Sequence, residues 1–246
     1  AQLVAYIQSK PTGKYTRILW FLYEYLICVP LPLEDVKIGN YVSVLDPRKY
    51  FTHEKGFKSR RHRVVDNFLG VRHFCPIVRK TKILSGMKDA TVYQRCIEIQ
   101  GQYSSEHLRR ALGYLYTKET KSSFEIEQEQ PSPSRIERFV ALLELASKED
   151  FCTKRQLIEL QNHIVDPRFS DTDYRNTQNY VGESLGYQRE KIHFISPKPI
   201  DIQTLMKGLL LTHQRMLETE ISAIVHAAII SYGFVFFHPF EDGNGR

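Results

Sequence analysis

The nine residues His238-Pro239-Phe240-Glu241-Asp242-Gly243-Asn244-Gly245-Arg246 hold more chemistry than any other stretch of the chain. The imidazole of His238 can take up a proton near neutral pH. Asp242 is a hard oxygen ligand, of the kind that magnesium accepts when it is shared with phosphates. Gly243-Asn244-Gly245 lets the backbone turn tightly and point amide hydrogens outward, which makes an anion-binding concavity, best when it opens a helix. Arg246 can fork onto phosphate oxygens. A base, a metal ligand, an anion cradle and a cation so close together suit phosphoryl or nucleotidyl transfer, where positioning and charge neutralisation supply most of the catalysis. Each residue also has a plainer use: a lone histidine is more often structural, Gly-Asn-Gly is a common turn, and Asp242 alone could cap a helix. All of those plainer uses would have to hold at once.

These residues need elements to place them. His238 follows directly on an apolar run, Phe234-Val235-Phe236-Phe237. Upstream, Ile221, Ile224, Val225, Ala228 and Ile229 predict a helix from about 218 to Tyr232, apolar over a wide face and therefore central and buried, with Gly233 as its C-terminal stop. Asp201 is the expected N-cap of a preceding helix that runs to about Met216. Gln178–Gly182 and Lys191–Ile195 flank a polar middle with Gly186 and predict a β-hairpin, closed by Pro197-Lys198-Pro199. Leu108, Leu112, Leu115 and Tyr116 recur at helical spacing over 104–127. Gln130-Pro131-Ser132-Pro133 then breaks the chain. Ser134-x-x-Glu137 is a capping-box pattern for a second helix that carries Ile136, Phe139, Val140 and Leu143 on one face.

The first hundred residues are less telling. Residues 18–29 predict a buried helix or strand, which periodicity alone does not separate. Pro30-Leu31-Pro32-Leu33 is a loop signal, and Gly39-Asn40 between Val36, Val42 and Val44 predicts a short strand pair. Lys55, Lys58, Arg60, Arg61 and Arg63, with His53 and His62 nearby, form a basic run that reads as a solvated loop or as a phosphate-touching surface. Over all 246 residues, 42% are hydrophobic and 25% charged, which places the chain among ordinary globular proteins rather than disordered ones. A net charge of +6 would attract polyanions or simply keep a basic surface solvated. The longest apolar stretch is too short for the roughly 20 residues of a membrane span. Cys28, Cys75, Cys96 and Cys152 form no C-x-x-C pair and no disulfide framework, so a reducing cytoplasm is the simplest home.

The nine residues match without a mismatch the signature H-x-F-x-[D/E]-G-N-G-R of the Fic family, and the chain resembles that family over 104–246, most strongly over 173–246. The resemblance implies a mainly α fold: a Fic-type helical core with a β-hairpin flap, preceded by a mixed α/β N-terminal region over 1–103. It implies transfer of AMP from ATP to a Ser, Thr or Tyr hydroxyl of a target protein, with release of pyrophosphate. His238 would be the general base, and Asp242 would hold Mg2+ on the α- and β-phosphates. Gly243, Asn244 and Gly245 would form the anion hole, Arg246 would bind phosphates, and Phe240 would be the buried anchor of the loop. The hairpin at 179–195 would be the flap that aligns the target segment by strand-like pairing. Many family members also carry an inhibitory helix with the pattern [S/T]-x-x-x-E-[G/N]. Here Ser123-Phe124-Glu125-Ile126-Glu127-Gln128 matches in five positions and has Gln in the sixth. By the resemblance, Glu127 would compete with the ATP γ-phosphate, and Ser123, about one turn away, would share its face.

Family members continue past the first motif arginine with a second arginine, the usual partner of the inhibitory glutamate, and then a helix that supports the anion hole. The expectation is therefore a fragment with little transferase activity by itself. Expected partners are ATP, a protein target the sequence does not name and a second copy of the chain. No membrane partner is expected, and nucleic acid only if the basic run binds it. Three alternatives stay open: transfer of another phosphate-containing group, removal of AMP, and a non-catalytic nucleotide-binding or interaction module.

Overall fold

A computed structural model describes residues 2–86, 89–126, 132–145, 152–185 and 189–245. The chain is mainly α and divides into two compact units, one holding residues 2–86 and 211–226, the other residues 89–210 and 227–245. Helices α8 (Pro199–Leu217) and α9 (Ala223–Phe237) each give one end to each unit.

In the first unit, α1 (Gln2–Ser9) leads into α2 (Lys14–Ile27), which settles the 18–29 stretch as a helix. It buries Trp20 and Phe21 and ends at Cys28 in the left-handed conformation, whose amide donates to the Glu24 carbonyl. The predicted strand pair around Gly39-Asn40 does not form. Only β1 (Val42–Ser43) is extended, and it pairs in parallel with β3 (Val64–Asp66), which pairs antiparallel with β2 (Phe57–Ser59). The strand's partner lies some twenty residues downstream, so local patterning could not name it. Phe21, Val64 and Phe68 form the core under this sheet, with Leu22, Tyr25, Val42, Val44, Leu45 and Cys75 packed around them.

The basic run is only in part a solvated loop: Lys55, Lys58 and Arg60 are exposed, while Arg61 and Arg63 are half-buried. It makes the β2–β3 hairpin, and its middle turns inward. Arg61 donates to Glu24, Asp35 and the carbonyls of Leu31 and Leu33, and lies 4.9 Å over the Trp20 ring. His62 is buried and meets Glu24 Oε2 at 3.0 Å, and Arg63 donates to the Gly39 carbonyl. The half-buried Glu24 carboxylate draws the Arg61 guanidinium in, because a charge there without a partner would be costly. Residues 211–226 close the unit: Thr212 bonds the Phe74 carbonyl at 2.7 Å and Arg215 reaches Asp66 at 3.0 Å.

In the second unit, α4 (Asp89–Gln102) buries no residue, whereas α5 (Ser105–Ile126) packs on α6 (Pro133–Leu145), and α6 on α7 (Lys154–Ile164). α3 (Lys82–Gly86) ends the stretch before α4. Phe124 is fully buried at the α5–α6 contact, with its ring 6.0 Å from Phe139 and the Arg135 guanidinium 4.9 Å over it. The predicted caps shift by two residues at α6 and by three at α8. α6 begins at Pro133, and the Ser132 carbonyl accepts from the Ile136 amide, so Ser132 rather than Ser134 stands at the helix boundary. α8 begins at Pro199 and carries Asp201 in its first turn, not at its cap. In both cases the fixed φ of proline suits the first helical position, and Asp201 still meets the positive end of the helix dipole.

The hairpin forms as predicted, β4 (Tyr180–Ser184) against β5 (Glu190–Ile195), with an irregularity at Val181/Gly182. A Cβ at Gly182 would stand 2.7 Å from the Lys191 carbonyl oxygen, so only glycine allows the two strands this close. α9 departs from expectation twice. Gly233 is inside the helix, at a buried position, and the helix continues to Phe237. Its expected burial also holds only in part among the described residues. Ile229 and Phe237 are buried, but Tyr232, Val235 and Phe236 are exposed. A wide apolar face signals a need for cover, but which residues are covered depends on what packs there.

Candidate active site

α9 ends at His238, whose φ of 51° places a non-glycine residue in the left-handed region. The next residue is proline, which disfavours helical geometry at the residue before it. Such a conformation costs on the order of 1–3 kcal/mol and persists only where its surroundings over-determine it. They do so here. The His238 amide donates to the Phe234 carbonyl at 3.0 Å. Its carbonyl accepts from Arg175 Nε at 2.7 Å and from Asn179 Nδ2 at 3.4 Å. Its ring Nδ1 lies 3.0 Å from the Val235 carbonyl oxygen. A carbonyl can only accept, so the ring proton belongs on Nδ1 and the lone pair on Nε2.

The loop that follows is pinned from within. Phe240 is 1% exposed and packs against the rings of Tyr174 (5.6 Å) and Phe234 (6.2 Å). Asn244 is also buried. Its Oδ1 accepts from the Phe240 amide at 2.9 Å and its Nδ2 donates to the Phe240 carbonyl at 2.8 Å. Gly243 has φ 83° and fits so closely that a Cβ would stand 2.8 Å from Val165 Cγ1. The Gly243 amide donates to Asp242 Oδ1 at 2.7 Å, so an incoming anion would compete with that carboxylate for it.

Around the loop stand residues to which sequence reasoning assigned no role. Gln161, 2% exposed, donates to the carbonyls of Phe169 at 2.9 Å and Asp242 at 3.4 Å. Asn179 donates to the Phe240 carbonyl at 2.9 Å. Arg175, 4% exposed, reaches five acceptors, and burial lowers its pKa against the pull of Glu241. Burial likewise holds the Asp171 carboxyl above its ordinary range, against a hydrogen bond from the Glu241 amide, while the Glu241 charge adds to the rise. The Tyr174 hydroxyl, buried and without a partner among the described residues, is pushed up to about 12 by burial and then by Asp173. No local pattern marks these residues, because their partners lie tens of positions away.

His238, Asp242, Gly243, Asn244 and Gly245 thus share one loop with a fixed internal geometry. Arg246 and Glu127 lie outside the described residues, as does Gly186. Ser123 is half-buried in the last turns of α5, beside Phe124. A cavity of about 530 Å³ reaches Gly243, Asn244 and Gly245, but Phe139, Leu157, Ile164 and Phe234 give it an apolar lining unsuited to phosphate. Among the described residues no group of three or more His, Cys, Asp and Glu could hold a metal ion. A lone carboxylate completed by phosphate oxygens is a usual way to bind magnesium, and Asp242 is of that kind. No helix among the described residues is long and apolar enough to cross a membrane.

The second unit thus sets a hairpin beside a histidine-headed Gly-Asn-Gly loop. Residues 150–246 match the Fic/DOC family. The match starts after α5 and α6. The protein adenylyltransferase Fic of Culex quinquefasciatus is 36% identical over 109 residues, 42% of this chain and 19% of the relative. That of Aedes aegypti is 32% identical over 109 residues, again 42% and 19%. That of Drosophila melanogaster is 35% identical over 101 residues, 38% and 18%. The chain thus spans about a fifth of the length of these curated relatives. The crystal structure of a Fic family protein from Desulfovibrio desulfuricans G20 superposes with a TM-score of 0.43 at 21% identity, over 65% of this chain and 55% of that one.

Proposed function

We propose that this domain transfers AMP from ATP to a hydroxyl of a protein target. The observation that carries this reading is the tautomer of His238: with Nδ1 tied to the Val235 carbonyl, Nε2 is left as a base. In the proposed reaction His238 Nε2 takes the proton of a Ser, Thr or Tyr hydroxyl. The oxygen attacks the α-phosphorus of ATP, the bond to the bridging oxygen breaks, and pyrophosphate leaves. Asp242 is the residue that would hold Mg2+, which would supply neutralisation of phosphate charge when bound. The Gly243–Gly245 backbone and Arg246 would receive the phosphates, and Asn244 and Phe240 would keep the loop in shape. The hairpin would align the target segment by strand pairing.

The working unit in this reading is residues 104–246, of which 211–226 also belong to the unit built on 2–86, in a reducing compartment such as the cytoplasm. Glu127 would restrain the reaction by occupying the place of the γ-phosphate. The anchoring of the preceding turn by Phe124 supports a fixed position for Ser123 and the start of that segment.

The test is incubation of the protein with ATP and magnesium, with added AMP read by intact mass. We expect Glu127→Gly to gain AMP over wild type and Glu127→Gly/His238→Ala to lose the gain. Equal incorporation with and without His238 would remove it as the base, and equal incorporation with and without Glu127 would remove the inhibition. Running GTP, UTP and CTP in parallel separates AMP transfer from transfer of another nucleotide.

A further inference from the structure

Arg175 is a buried cation 63 positions from His238 in sequence, and its side chain spends all three nitrogens on the loop and the hairpin. Nε donates to the His238 carbonyl at 2.7 Å and Nη1 to the Thr177 carbonyl at 2.7 Å. Nη2 reaches the Pro197 carbonyl at 2.6 Å, Ser196 Oγ at 3.1 Å and the Phe237 carbonyl at 3.4 Å. Its backbone amide adds the Pro239 carbonyl at 2.8 Å. Three successive carbonyls, Phe237, His238 and Pro239, therefore end on one residue. The carbonyls at the end of α9 have no partner within the helix, and a cation there also meets the negative end of the helix dipole.

The other acceptors are the two feet of the hairpin. Thr177 stands before β4, and Ser196 and Pro197 stand after β5. Ser196 Oγ in turn donates to the Asn179 carbonyl at 2.7 Å, and Asn179 bonds the Phe240 carbonyl at 2.9 Å. The histidine loop and the hairpin base are thus one hydrogen-bonded body with a guanidinium at its centre. Only a planar fork with donors on three nitrogens can face this set of acceptors; an ammonium keeps the charge but offers a single donor atom.

We propose that Arg175 is the positioning residue that holds the His238 ring in register with the hairpin, so that a target strand paired to the hairpin brings its hydroxyl to Nε2. This rests on the AMP-transfer reading above. Arg175 acts through the backbone of His238 and touches no reacting atom itself. It fixes the left-handed turn from which the imidazole hangs, and a displacement of about 1 Å at such a group can cost a hundredfold in rate.

The experiment compares wild type with Arg175→Lys and Ser196→Ala. The ¹⁵N spectrum of the His238 ring reads the tautomer, the amide spectrum reads the fold, and AMP incorporation kinetics read the reaction. In wild type we expect one ring species protonated at Nδ1. In folded Arg175→Lys we expect that species to give way to mixed tautomers, with kcat for AMP transfer down about a hundredfold and KM for ATP near the wild-type value. Ser196→Ala, which removes one acceptor, should fall between the two. A folded Arg175→Lys with an unchanged His238 ring spectrum overturns the proposal, as does an unchanged kcat. Should that variant not fold, the wild-type Arg175 Nε–H decides: slow exchange with scalar coupling to the His238 carbonyl is expected, and fast exchange overturns it. A wild type that transfers no AMP speaks against the reaction, while the ring and Nε–H spectra still judge Arg175.

Discussion

Replacing Asn244 by alanine tests whether this residue staples the loop or only lines it. Asn244 is 3% exposed and makes two hydrogen bonds to the backbone of Phe240, one in each direction. On truncation the Phe240 carbonyl keeps Asn179 Nδ2 at 2.9 Å, so only the amide is left buried without a partner. An orphaned donor costs about 1–3 kcal/mol, and the second, partly compensated bond about 0.5–1.5 kcal/mol, for a total of about 1.5–4.5 kcal/mol. Asn244→Asp separates the two bonds. Its carboxylate still accepts from the amide, but it sets a second oxygen against the Phe240 carbonyl, and both burial and that repulsion raise its pKa in the folded state. An acid whose folded pKa is raised destabilises increasingly as pH climbs from its unfolded value of about 3.9 to its folded one. We therefore expect Asn244→Asp to be less stable than Asn244→Ala at pH 7 and to recover below about pH 4. Urea unfolding gives the free energies, and hydrogen exchange of the Phe240 amide gives the local effect. An alanine variant within about 0.5 kcal/mol of wild type, with Phe240 still protected, would refute the staple.

Gly243→Ala should destabilise by about 1–3 kcal/mol, because a φ of 83° strains any side chain and the new Cβ meets Val165 Cγ1 at 2.8 Å; a melting temperature equal to wild type would contradict this. Glu24→Gln should cost about 1–3 kcal/mol in urea unfolding, since it removes the charge from the half-buried partner that Arg61 and His62 share. Burial pushes the Glu24 carboxyl up, but Arg61, the Leu31 amide, Trp20 and His62 together hold it down to about 2, below its ordinary 4.5. A depressed acid stabilises fully above its unfolded pKa and loses that contribution as pH falls through its folded one. Wild type should thus lose stability between about pH 4.5 and 2, where Glu24→Gln is flatter; parallel acid-unfolding curves would argue against a role for this carboxylate.

Local pattern and tertiary contact divided the work along identifiable lines. Helix α5 and the hairpin follow from apolar spacing that repeats within one element, whereas apolar spacing left helix and strand open over 18–29 and only the fold made it a helix. Element ends were less legible. Gly233 has the composition of a helix stop, yet it sits inside α9, because a buried helical glycine costs only about 1 kcal/mol and the apolar run beyond it continues the helix. Pro133 and Pro199, not Ser134 and Asp201, mark their helix starts. The run from Lys55 to Arg63 has the composition of a surface, but Glu24 in another element turns its centre inward.

By itself the sequence determined which groups stand at 238–246, and an imidazole, a carboxylate and a Gly-Asn-Gly turn carry in their own atoms the capacity for proton, metal and anion chemistry that the proposed function draws on. Only the tertiary structure decided how that chemistry is set. The tautomer of His238 depends on the Val235 carbonyl at the end of a helix longer than its pattern predicts. Its left-handed backbone depends on Arg175 and Asn179, and the shape of the loop on Gln161, Asn244 and Phe240. The physical reason is that hydrogen-bond partners are chosen by distance in space. Arg175 and His238 are 63 residues apart along the chain and 2.7 Å apart in the fold.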